Sequence, residues 1–94
     1  PTHVLCSGIA YEITTRPIYF SANGGADPAP NDQSLASFNL TDSLVRVNRE
    51  NNARLEINGL PLGESRAIEI GDQITVDGAN VVYVPIRVVT LDAS

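Results

Sequence analysis

Lysine, methionine and tryptophan are absent from this chain, and cysteine and histidine occur once each, as Cys6 and His3. A single cysteine excludes an internal disulfide framework and fits a reducing compartment. Structural zinc needs four ligands, so His3 and Cys6 cannot form such a site alone. They also stand three apart, which places them on opposite faces of a strand. Nucleophilic catalysis needs a serine or cysteine beside an oriented base. Here the one histidine lies next to the N-terminus, and no Gly-x-Ser-x-Gly elbow occurs. No long apolar run approaches the ~20 residues of a membrane-spanning helix.

Charge is scarce as well. Charged residues make up 18% of the chain, below the ~25% usual for soluble domains, and the net charge is −5. All six basic side chains are arginines: Arg16, Arg46, Arg49, Arg54, Arg66 and Arg87. An acidic chain without a basic stripe lacks the phosphate neutralisation that nucleic-acid binding requires, and anionic membranes are disfavoured for the same reason. The expectation is therefore no nucleic acid, no membrane, no metal and no cofactor. Arg46, Arg49 and Arg54 gather near one turn, but Glu50 and Glu56 are interleaved with them, a pattern that suits strand-edge ion pairs.

Hydrophobic residues make up 43% of the 94 positions, too many for a disordered chain. The length suits one domain, residues 1–94. The opening Pro1 and the lack of a basic, apolar-cored leader lead us to expect an intact protein made in the cytoplasm. Apolar residues alternate with a period of two from Val4 to Thr15, where Gly8 suggests a bulge or a close backbone approach. Ile18–Phe20 reads as a second short strand beyond Arg16-Pro17. Residues 23–34 lack apolar periodicity and read as one long loop, about 23–37 at its widest. Leu44–Val47 and Arg54–Ile57 flank a polar loop, Asn48–Asn52. Asn58-Gly59, Gly71-Asp72 and Asp77-Gly78 mark turns, and Ile68 and Ile70 share one face. Asp72 and Asp77 suit tight turns better than a calcium loop, whose ligand spacing is missing. Short strands at even spacing predict an all-β fold, a small antiparallel sandwich or barrel.

The C-terminal run Val81–Leu91 is apolar on both faces of a strand. Val82, Val84, Ile86 and Val88 point one way, and Val81, Tyr83, Val89 and Leu91 the other, interrupted by Arg87 and Pro85. Pro85 calls for a bulge or an edge-facing N–H. A strand with two apolar faces wants cover on both sides. The expectation is a non-enzymatic structural assembly protein: a homo-oligomer of the decoration or cement type that stabilises a capsid shell or similar assembly, made in the cytoplasm and carried on a virion. Tyr83, Val89, Leu91, Val81 and Arg87 would form its interface. The alternative is a monomeric sandwich whose Arg46, Arg49 and Arg54 contact an anionic peptide.

Overall fold

A computed structural model describes residues 1–89, which form two antiparallel sheets and, among the described residues, no helix. The strands are β1 (His3–Cys6), β2 (Ile9–Glu12), β3 (Ile18–Ser21), β4 (Ala26–Asp27), β5 (Ser34–Thr41), β6 (Leu44–Arg49), β7 (Leu55–Ile57), β8 (Leu60–Pro61), β9 (Ser65–Ala67), β10 (Ile74–Val76) and β11 (Val82–Ile86). The first sheet runs β2-β1-β11-β10-β7-β8 and the second β4-β3-β5-β6-β9. The two sheets share one core, the arrangement of a small β-sandwich.

Turn chemistry explains three of the hairpins. Ser7-Gly8, Asp42-Ser43 and Asn58-Gly59 all place both central residues at positive φ, the pattern of a two-residue type I′ turn. Gly8 is therefore a hairpin corner, and the expected bulge is absent there. A Cβ built at Gly8 would meet nothing within 4 Å, so its positive φ of 80° is what favours glycine.

Each sheet contributes alternate residues to the core. Val4, Cys6, Leu55, Ile57, Ile74, Val76 and Tyr83 come from the first, and Phe20, Ala36, Phe38, Val45 and Val47 from the second. At the centre Tyr83 stacks 5.2 Å from Phe20 and 5.3 Å from Phe38, measured between ring centroids. Tyr11 adds an edge-to-face contact with Phe20 at 5.1 Å. Edge and tilted contacts of this kind add about 0.5–1.5 kcal/mol per pair beyond the area they bury.

Several expectations are corrected. The loop beginning at Asn23 ends at Ser34, because 34–37 already belong to the long strand β5. Its small residues Ala36 and Ser37 hide the alternation that would announce a strand. The same loop contains β4, paired with β3 through Tyr19↔Asp27 and Phe20↔Ala26. The side chain of Asn51 secures it further, donating to the carbonyls of Asn31 (2.8 Å) and Ser34 (2.9 Å). Strands β6 and β7 lie in different sheets, so residues 50–54 cross between layers. Ile70 is 56% exposed and does not share the buried side of Ile68. Strand β9 stops at Ala67, and Asp72 turns the chain by accepting the Glu69 N–H at 2.8 Å.

Pro85 sits inside β11, opposite Val4 of β1. Its nitrogen side faces β10, whose pairing with β11 has already ended at Ile74↔Tyr83. No ladder donor is therefore lost, which realises the edge-facing alternative for this proline. Its carbonyl accepts the Gly71 N–H at 3.2 Å.

Candidate functional site

The direction of β11 decides which surface is available to partners, and it reverses the expected faces. Tyr83 is 0% exposed and Val81 is buried, so neither can serve as an interface residue of the folded chain. Strand parity allows either Tyr83 or Val84 to face inward, and the larger ring fills the aromatic centre beside Phe20 and Phe38. Val89, 64% exposed, and Arg87 do lie on the surface, beyond the end of β11. Leu91 lies outside the described residues.

The outward side of β11 is Val82, Val84 and Ile86. Register places them in rows across the first sheet. One row is Ala10, Leu5 and Val84; the next is Glu12, His3 and Ile86; the third is Val82, Thr75 and Glu56. Apolar side chains thus occupy the middle, with Glu12, His3, Thr75 and Glu56 around them. Val82 is 46% exposed, while Leu5, Val84 and Ile86 are half-buried. Just past the strand end, Val88 is also 44% exposed. Strand spacings give this field an extent of about 14 Å by about 14 Å, on the order of 200 Å².

The outward side of the second sheet is the opposite in character. There Ser37 donates to Glu50 Oε2 (3.0 Å), and Asn48 donates to Ser37 Oγ (3.2 Å) and Asn39 Oδ1 (2.8 Å). Ser65 donates to Asn48 Oδ1 at 2.9 Å and accepts from Arg46 Nε at 3.1 Å. The amides and hydroxyls satisfy one another, so this face is a closed polar network around the buried hydroxyl of Ser37.

The three arginines separate. Arg46 belongs to that polar face. Arg49 and Arg54 instead line a hollow of about 390 Å³ with Leu55, Glu56, Pro61, Leu62 and Asp77. Backbone bonds fix their positions, from Arg49 N–H to Glu64 O and from Asp77 N–H to Arg54 O, both 2.8 Å. Glu56 and Asp77 line the same hollow, so its lining carries no net positive charge to attract an anionic peptide.

Thr2, His3, Asp72 and Cys6 are held in local contacts. Thr2 Oγ1 accepts the Val88 N–H (2.8 Å) and lies 2.7 Å from His3 Nδ1. Both carboxylate oxygens of Asp72 are used, one by Glu69 N–H and one by Asn58 Nδ2 at 3.0 Å. Cys6 is buried, and desolvation pushes its thiol pKa up from the ordinary 9.0, against a lowering contact with Ser7. Among the described residues no group of three or more His, Cys, Asp or Glu side chains has the proximity to hold a metal ion. Compared with protein-family models, curated proteins and solved structures, the chain matches none of them.

Proposed function

We propose that this chain is a non-enzymatic assembly module, which multiplies itself and attaches to a larger protein structure of the capsid-shell type. The observation that carries the reading is the apolar field of Leu5, Ala10, Val82, Val84 and Ile86 on the outside of the first sheet. An apolar middle ringed by polar residues is the arrangement of a protein–protein contact. Val88, just past the end of the strand, is exposed as well. The polar network on the opposite face supports a sided molecule, with one wet surface and one surface for contact.

Val84→Asp tests the reading, because it puts a charge in the middle of the field on an outward-facing side chain. Light scattering on the wild type is expected to give a multiple of the 10.0 kDa chain mass, and Val84→Asp a lower one. Arg46→Ala, on the polar face, leaves the mass unchanged. A wild type that stays a single chain at all concentrations overturns the proposal.

A further inference from the structure

The apolar field alone is small for a stable contact, since a standard interface buries about 800 Å² on each partner. A second contact is needed, and the sheet edges indicate where. Of the four edge strands among the described residues, β8 contains Pro61 and β4 runs into Pro28, residues that cannot donate to a new strand. Strand β9 is three residues long and carries Arg66. Strand β2 has four residues, Ile9-Ala-Tyr-Glu12, without proline or a basic side chain.

Its free groups follow from the hairpin. A two-residue turn makes Cys6↔Ile9 a hydrogen-bonded pair, and bonding then recurs at every second residue. The bond from Ile13 N–H to Thr2 O, at 3.0 Å, continues that series. Ile9, Tyr11 and Ile13 thus bond inward to the β1 side. Ala10 and Glu12 aim their N–H and C=O groups outward, along the edge.

We infer that β2 pairs antiparallel with β2 of a second copy, joining two first sheets into one continuous sheet. The inference rests on the assembly reading above and names its second contact. The pattern is self-complementary. With Tyr11 on the two-fold axis, Ala10 stands opposite Glu12 of the second copy and Glu12 opposite its Ala10, which completes four backbone hydrogen bonds. Ile9, 53% exposed on one copy, then lies beside Ile13 of the other. A two-fold axis perpendicular to the sheet keeps both apolar fields on one side. The pair therefore presents twice the contact area to a larger structure, a gain a peptide strand on the same edge does not provide.

Ala10→Pro tests this directly, because it removes an outward N–H and no bond within the hairpin. Ala10→Glu, which keeps the N–H but sets a carboxylate directly opposite Glu12 of the second copy, guards against misfolding by the proline variant. Light scattering and amide exchange are measured on the wild type and both variants. The expected result is a halved mass for Ala10→Pro with unchanged circular dichroism, a weaker pair for Ala10→Glu, and wild-type protection of the Glu12 amide lost in Ala10→Pro. A wild-type assembly that survives both variants at full mass overturns the β2 pairing and leaves the assembly reading standing. A wild type that is a single chain at every concentration overturns both.

Discussion

Replacing Tyr83 with phenylalanine should make this protein more stable. The Tyr83 ring is fully buried in the aromatic centre, yet among the described residues its hydroxyl has no hydrogen-bond partner. A buried hydroxyl without a partner costs about 1–3 kcal/mol, while the ring contacts with Phe20 and Phe38 do not involve the oxygen. Tyr83→Phe keeps the ring and removes the cost, so a gain of about 1 kcal/mol or more is expected. In a domain of this size that raises Tm by about 4–8 °C per kcal/mol. The same change alters the alkaline limb. Burial holds the Tyr83 hydroxyl far above the ordinary 10.0, with the nearby Cys6 adding to the effect. The folded state therefore keeps its proton where the unfolded chain releases it. Stability is intact below pH 10 and declines above it, by up to about 1.4 kcal/mol per pH unit for this group. Cys6, shifted the same way from 9.0, begins a similar decline one unit lower. Urea denaturation from pH 7 to 11 is the assay. Tyr83→Phe should show a higher midpoint at pH 7 and a shallower loss above pH 10, retaining only the Cys6 part. A variant less stable by 1 kcal/mol or more at pH 7 overturns this expectation and shows that the hydroxyl donates to a partner.

Other substitutions probe separate parts of the fold. Gly59→Ala should cost about 1 kcal/mol in urea denaturation, since the position holds φ +84° and an added Cβ meets nothing within 4 Å, leaving only backbone strain. Asn51→Asp removes the donor shared by the Asn31 and Ser34 carbonyls and turns a carboxylate toward them; a loss of about 2–3 kcal/mol is expected by the same assay. Phe20→Ala should cost about 3–5 kcal/mol by calorimetry, because its ring meets Tyr11, Phe38 and Tyr83 together.

The sequence disclosed the class of fold through its turns and its two-residue periodicity. Asn58-Gly59 is a hairpin and Ile74 and Val76 face inward, as their pattern predicts. Long-range choices were hidden. Nothing local separates β6 from β7 into different sheets, because the choice depends on which apolar faces meet across the core. Strand β5 was concealed by its small residues, and β4 by its length of two. For the candidate surface, the period of β11 was legible and its direction was not. Alternation defines two faces, but only the packing of Tyr83 against Phe20 and Phe38 determines which one is inside. The open edge at β2 depends on Ser7-Gly8 acting as a turn, and the continuous apolar alternation from Val4 onward obscured that break.

Everything proposed for this molecule requires identical chains to recognise one another through the first sheet. Sedimentation equilibrium of the wild type over a wide range of concentration measures that recognition without a label or a partner. A reversible rise from 10.0 kDa to an even multiple of it is expected. A mass that stays at one chain even at millimolar concentration contradicts it.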